Sequence, residues 1–234
     1  MATLGSYAVM HGTTTGGILA PAKESFVGYP ARRRIYAFAS RCVDIAIAST
    51  ALLFAMPVLA LAALAIRLTS RGPVFFRQKR AGFSGEPFVM YKLRTMHVGA
   101  DDEKELFRSL NALPTGPCFK MRNDPRVTRV GRWLRRLSID ELPQLINVLK
   151  GEMAVVGPRP LPMDEAKTDT KLQRLRMTVK PGLTCLWQVS GRTEIPYEEW
   201  LQLDVFYIRN QSLKLDLEIV LRTIPAVLSM RGAY

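Results

Sequence analysis

The sequence predicts a helix-rich α+β fold in a monotopic membrane protein, with an N-terminal re-entrant membrane helix, a β-hairpin and several amphipathic interfacial helices around a small domain. Three observations carry this expectation. One run of about two dozen residues is almost wholly apolar, two β-prone runs flank a glycine-bearing turn, and most of the remaining periodicity is helical.

The apolar run is "VDIAIASTALLFAMPVLALAALAI", Val43 to Ile66, with Asp44 as its single charge. Its length suffices for a hydrocarbon core, which takes about 20 apolar residues. A soluble core helix of that length would show a polar stripe, and this one shows none. Both flanks are basic: Arg32, Arg33, Arg34 and Arg41 precede it, and Arg67, Arg71, Arg77, Lys79 and Arg80 follow. Neither flank favours translocation. Pro57 lies near the middle, where it removes a backbone donor and disfavours helix in the residue before it. A re-entrant helix over about 35–68 that breaks at Met56-Pro57 and returns to the same face satisfies both facts. An ordinary kinked span is the alternative, because membrane helices tolerate proline. Residues 1–32 lack periodicity and are expected to form a disordered tail ahead of a membrane-embedded domain over 33–234, whose cytosolic part is 69–234.

Beyond the apolar run, "PVFFRQKR" and "PFVMYKLR" read as a hairpin turned by Gly82 and Gly85 within "AGFSGE". "DDEKELFRSLNAL", the stretch Val127 to Leu137, and "DELPQLINVLKG" closed by Gly151 read as helices, the last with Leu142, Leu145, Ile146 and Leu149 on one face. "MAVVGPRPLP" reads as a short strand running into a proline-fixed loop. A helix over about Asp164 to Met177, a loop "KPGLTCLWQVSGR" and two final helices complete the chain. The last helix suits either a membrane surface or ordinary packing.

The composition narrows the chemistry. The 234 residues carry 33 Lys and Arg against 20 Asp and Glu, a net charge of +13 with a pI near 10.1. A polyanionic partner is implied: nucleic acid, anionic lipid or a phosphorylated substrate. Cys42, Cys118 and Cys185 form no C-x-x-C pair, which argues against a zinc site or disulfide framework. With only His11 and His97, histidine triads are disfavoured. No P-loop or G-x-G-x-x-G is present, and no D-x-D metal pair. Within this basic chain "SIDELPQL" places Asp140 beside Glu141. Ser138 and Glu141 have capping-box spacing, and the alternative is a reaction centre in which carboxylates and arginines face a phosphate.

Several long motifs in order, "GPVFFRQKRAGFSGEPFVMYKLRTM", "DPRVTRVGRWLRRLSIDELPQLINVLKGEMAVVGPRP", "KPGLTCLWQVSGR" and "LDVFYIRNQSLKLDLEIVLRTI", resemble the bacterial sugar transferases, a family of monotopic phosphoglycosyl transferases, in particular its ExoY-like exopolysaccharide-initiating members. The resemblance covers the chain from about Arg33 to its end. It implies transfer of a sugar phosphate, galactose or glucose, from a UDP-sugar to undecaprenyl phosphate at the cytoplasmic face of the inner membrane, with UMP released and Mg²⁺ as cofactor. Membrane lipids are the implied surroundings, nucleic acid is not an implied partner, and a homodimer is compatible. By the same resemblance Asp140 is the nucleophile and Glu141 the metal ligand, with Asp140 also near the metal. Lys92, Arg135, Arg159 within Pro158-Arg159-Pro160, Gln188 and Arg192 bind substrate, and Pro57 breaks the membrane helix. Cys185 and Gln211 depart from the family's usual glycine and tryptophan. Two further readings stay open on residues alone: a non-catalytic basic membrane scaffold, and the same transfer by direct attack of the lipid phosphate.

Overall fold

The computed structural model describes residues 30–111, 119, 121, 123–166, 170–191 and 195–230. The expected N-terminal tail through residue 29 therefore lies outside the described residues, and helix begins at Pro30, earlier than expected. Among the described residues the fold is α+β and helix-rich, with seven α-helices and two small sheets.

Helix α1 (Pro30–Thr69) runs 40 residues, about 60 Å at 1.5 Å per residue. It is helical through Pro57, so the expected break at Met56-Pro57 does not occur. The reason lies in its packing. Asp44, Ala48, Ala55, Ala62 and Ile66 are buried at steps of four and seven, a helical stripe that keeps phase across the proline. Small alanines let the rest of the protein approach the helix closely along its length. One missing backbone donor does not outweigh that contact. Phe38, Leu53, Phe54, Leu61 and Leu68 are left exposed. Among the described residues α1 is the helix long and apolar enough to cross a membrane.

Polar groups of α1 turn inward to named partners. The Asp44 carboxylate accepts from the Val155 N–H at 2.8 Å, and Tyr36 donates to Asp216 at 2.7 Å. Arg41 donates to the carbonyls of Val148 and Leu149 at 2.6 and 2.7 Å. At the other end Leu59, Ala62 and Ile66 pack with Leu93, Val130 and Leu134. Both ends of α1 thus meet the same body of protein.

Strands β1 (Phe75–Ala81) and β2 (Pro87–Leu93) form the expected antiparallel hairpin, with Phe76 opposite Lys92 and Arg80 opposite Phe88. Its turn uses positive φ at Ser84 and Gly85. The stretch "DDEKELFRSLNAL" forms turns and a 3₁₀ segment, Glu105–Leu110, instead of an α-helix. Lys104 is drawn to Asp164 and Glu165, and Arg126 stacks over Phe107, so tertiary ties override the helix-forming composition. Helix α2 (Arg129–Arg136) is capped by Thr128, whose hydroxyl accepts from the Gly131 N–H. Gly131 is required there: a Cβ would sit 2.0 Å from the Thr95 carbonyl oxygen.

Helix α3 (Gln144–Lys150) starts after Pro143 and ends at Gly151 with φ 81°, as expected. Its buried face is Gln144, Leu145, Asn147 and Val148, while Ile146 points out. Strand β3 (Ala154–Val156) pairs in parallel with β4 (Gly182–Thr184), so the expected loop "KPGLTCLWQVSGR" contains a strand and then α5 (Leu186–Ser190). Within the helix expected from Asp164 to Met177 the described residues form a turn at Met163–Glu165 and helix α4 (Lys171–Arg176), and residues 167–169 lie outside the described residues. Helices α6 (Tyr197–Arg209) and α7 (Leu213–Leu228) match the two final helices. The core gathers Met90, Val148, Met153, Leu186, Leu203 and Ile219 with a stacked pair, Trp187 and Trp200, whose ring centroids are 4.1 Å apart. Full burial of each such aliphatic side chain contributes about 1.5–3 kcal/mol.

Candidate active site

Four segments distant in sequence converge on one cleft of about 650 Å³. The hairpin supplies the first. Strand alternation and the β1–β2 register put Lys92 on the same face as Gln78 and Arg80, and all three line the cleft. Helix α2 supplies Arg135 near its C-terminal end, where the guanidinium donates through Nε to the Thr95 hydroxyl at 2.9 Å.

Ser138 then adopts a left-handed conformation, φ 55°, that turns the chain sharply. A single 3₁₀ turn, Ile139–Glu141, follows and presents the two carboxylates. The Ser138 side chain makes no capping hydrogen bond, and the Glu141 carboxylate faces away from it, so the capping-box reading fails. Glu141 Oε1 instead accepts from Lys92 Nζ at 3.0 Å and from Arg159 Nη2, while Oε2 accepts from Arg159 Nη1 at 3.2 Å. The guanidinium fork thus engages both oxygens, the geometry that distinguishes arginine from lysine.

The loop carrying Arg159 is held from below. Gly157 and Gly182 cross so closely that a Cβ on Gly182 would lie 2.1 Å from the Gly157 nitrogen. The Arg159 carbonyl accepts from Arg176 Nη2 at 2.9 Å, and the Pro160 carbonyl accepts from Arg80 Nη1 at 2.9 Å. Arg176 is itself fixed by Asp204, Nε to Oδ2 at 2.7 Å, in a pair almost fully removed from water. Motif reading missed Arg176, Asp204 and Arg80. Asp204 alone left a signal, as an acid within the apolar stretch "WLQLDVFYIR".

Gln188, at the start of α5, also lines the cleft and accepts from the Cys185 thiol at 2.9 Å. Burial pushes that thiol's pKa up, which leaves it protonated and unreactive. Arg192 lies outside the described residues. The cleft therefore brings together Lys92, Arg135, Asp140, Glu141, Arg159 and Gln188. Pro57 sits in α1, exposed and away from that lining.

The two carboxylates occupy different environments. Asp140 is 7 % exposed and no side chain hydrogen-bonds it among the described residues. Burial, reinforced by the neighbouring Glu141, pushes its pKa up to about 6 against the pull of Lys92, Arg135 and Arg159. Burial also opposes charge on Glu141, but Arg159 and Lys92 overcome it and hold that carboxyl well below the usual range. Burial draws the Lys92 ammonium down, with Glu141 opposing. One carboxylate is thus fixed and neutralised, and the other is unencumbered and faces the cleft.

These groups fit a magnesium ion shared with substrate phosphates. Among the described residues neither Asp140 oxygen takes a side-chain hydrogen bond, and Glu141 Oε2 accepts one. A carboxylate has about four lone-pair sites, so acceptor capacity remains on each. No group of three His, Cys, Asp or Glu able to hold a metal exists among the described residues. That donor set suits Mg²⁺, which binds through one or two carboxylates and substrate oxygens, and it does not form an all-protein cage.

Comparison with known proteins identifies the family. The exopolysaccharide production protein ExoY of Rhizobium meliloti (strain 1021) is 42 % identical over 207 residues, covering 86 % of this chain and 91 % of that protein. The UDP-glucose:undecaprenyl-phosphate glucose-1-phosphate transferase of Caulobacter vibrioides is 42 % identical over 219 residues, 88 % of this chain and 76 % of that protein. The undecaprenyl-phosphate galactose phosphotransferase of Salmonella typhimurium is 41 % identical over 166 residues, 70 % of this chain and 35 % of the larger protein. The family profile described as bacterial sugar transferase matches residues 35–230, a span that runs from the inward-turned start of α1 through the cleft to the end of α7, and the chain belongs to that family.

Proposed function

We propose that this phosphoglycosyl transferase moves a hexose phosphate from a UDP-sugar to undecaprenyl phosphate, through a covalent intermediate on Asp140, as the first step of exopolysaccharide assembly. The single observation that carries the reading is the asymmetry of the dyad. Asp140 is buried at the cleft with no side-chain hydrogen bond among the described residues, while Glu141 is clamped by Lys92 and Arg159. The names of the relatives support the sugar-phosphate donor, the lipid acceptor and glucose or galactose as the sugar.

In the first step an Asp140 oxygen attacks the sugar-bearing phosphorus. A carboxyl–phosphate bond forms, the bond to the bridging diphosphate oxygen breaks, and UMP leaves with that electron pair. In the second step an oxygen of undecaprenyl phosphate attacks the same phosphorus. The lipid-linked diphosphate sugar forms, and the Asp140 carboxylate is released unchanged. A carboxyl with a pKa near 6 is mostly ionised at neutral pH and is a more basic oxygen than an ordinary aspartate. Mg²⁺ held by Asp140 and Glu141 would supply neutralisation of the diphosphate charge. Lys92, Arg135 and Arg159 lower the repulsion between the approaching anions and stabilise the departing phosphate. Gln188 and Arg192 complete the substrate contacts in this reading.

The site is assigned to the cytoplasmic face of the inner membrane, where both substrates meet. Support comes from α1, whose two ends pack on the same body through Tyr36 and Ile66. Wild-type protein incubated with UDP-sugar alone should gain one hexose phosphate by intact mass and release one equivalent of UMP, and Asp140→Asn should gain none. If no adduct forms and Asp140→Asn still produces lipid-linked sugar, the transfer proceeds by direct attack of the lipid.

A further inference from the structure

Helix α2 has two faces with different contents. Val130 and Leu134 turn inward onto Leu59, Ala62 and Ile66 of α1, and Arg135 turns to Thr95 beside the cleft. The outward face holds Arg129, Arg132, Trp133 and Arg136, all exposed. Trp133 is 61 % exposed, whereas Trp187 and Trp200 are each 3 % exposed. The Arg136 guanidinium lies over the Trp133 ring, 5.5 Å from its centroid. Among the described residues no acid pairs with Arg129, Arg132 or Arg136. An arginine face bearing an outward tryptophan therefore lies on the side of α2 turned away from its contact with the C-terminal half of the apolar helix.

We propose that this face of α2 docks on anionic phospholipid headgroups, so that the bilayer's negative charge seats the helix that carries Arg135 and leads into the dyad. The inference rests on the membrane reading of α1 and goes beyond it in assigning a headgroup preference. Charge complementarity names the occupant: the helix on which α2 packs exposes Leu61, Leu64 and Leu68, and an anionic surface bordering hydrocarbon is the partner that answers both its apolar side chains and the arginines of α2. Tryptophan prefers the headgroup level, where its ring is partly apolar and its N–H stays wet. Each arginine near an anionic surface strengthens the attraction roughly fivefold.

Because the chain's other two tryptophans are buried, a quencher carried by lipid reads Trp133. The full chain is reconstituted in phosphatidylcholine vesicles containing equal mole fractions of either brominated phosphatidylglycerol or brominated phosphatidylcholine, with Trp133→Phe as the blank. Wild-type fluorescence should be quenched more strongly by the brominated phosphatidylglycerol, and high salt should shrink the difference. In Arg129→Gln/Arg132→Gln/Arg136→Gln the difference should vanish while quenching by phosphatidylcholine persists. Should that triple variant fail to fold, each single substitution should narrow the difference. Equal quenching of wild type by both lipids overturns the headgroup preference. Quenching by neither overturns docking altogether, and UMP release measured on the same samples reports separately on catalysis.

Discussion

Asp140, the proposed nucleophile, acts against the fold that holds it. Its pKa is pushed up to about 6 from the ordinary 3.8, because burial penalises the charge more than the nearby cations relieve it. Below pH 4 both folded and unfolded states are protonated there, and the residue is neutral in its effect. Between about pH 4 and 6 the unfolded chain ionises first, so folded stability falls as pH rises and stays lower above 6. Asp140→Asn removes that penalty. In chelator and without donor it should melt several degrees above wild type at pH 7–8, with a gain on the order of 2–3 kcal/mol, and lose that advantage below pH 4. Thermal unfolding of both proteins across pH 3–8 checks this, and equal midpoints throughout would show that the charge is not destabilising. Glu141 is the opposite case, stabilised by partners that sequence could not name. Lys92 lies 49 residues before it and Arg159 lies 18 after it. The motif resemblance located the dyad, but the pairing that distinguishes its two members exists only once the hairpin and the proline loop are folded together.

At the scale of elements, α4 and α6 meet the active loop through one buried ion pair. Arg176 on α4 binds Asp204 on α6 through Nε and donates from Nη2 to the Arg159 carbonyl. Removing one partner leaves an unpaired buried charge and costs about 3–5 kcal/mol, whereas replacing both with apolar residues of similar size is commonly neutral or stabilising. The double variant Arg176→Met/Asp204→Leu should therefore stay folded, with a melting midpoint near wild type, but its Arg159 loop loses a support. Donor kcat/KM should drop by about tenfold or more, since small misplacements of a charge clamp are costly in rate. Wild-type kcat/KM in the folded double variant would mean that the pair serves packing alone. The elements most legible in the sequence were those defined by local chemistry. The hairpin was marked by Gly82 and Gly85, and the end of α3 by Gly151. "DDEKELFRSLNAL" misled because its helix-forming residues are committed elsewhere, Lys104 to Asp164 and Glu165 and Phe107 to Arg126. The short strand Gly182–Thr184 was equally hidden, since its partner among the described residues is β3, reached across the proline loop and α4.

For the whole molecule the deciding question is where α1 lies relative to the bilayer. The sequence supplied an apolar length, basic flanks and Pro57, and the break expected at that proline is replaced by a helix that keeps its buried stripe throughout. A helix crossing the membrane once would separate its ends by the hydrocarbon thickness of about 30 Å. Here Tyr36 near one end binds Asp216, Asp44 binds the Val155 amide, and Ile66 near the other end packs on Leu93 and Leu134. Val155 lies in the main core and Leu93 in a second cluster, tied together where the Tyr91 N–H of the hairpin donates to Asn147 of α3, so drawing either end across the bilayer would pull buried polar groups and core side chains with it. Pro57 leaves the Leu53 carbonyl without its usual donor, which makes a bend there inexpensive without ending the helix. Single cysteines at positions 22 and 229, introduced after Cys42, Cys118 and Cys185 are replaced, should both resist a membrane-impermeant maleimide in intact cells and both react in inverted vesicles. Pro57→Leu should leave this pattern unchanged if packing along α1 fixes the topology, and should expose position 22 to the outside if the proline alone does. Labelling of exactly one end in the native sequence would contradict the monotopic arrangement and require a plain span, with the contacts at Tyr36 and Asp44 broken in the membrane.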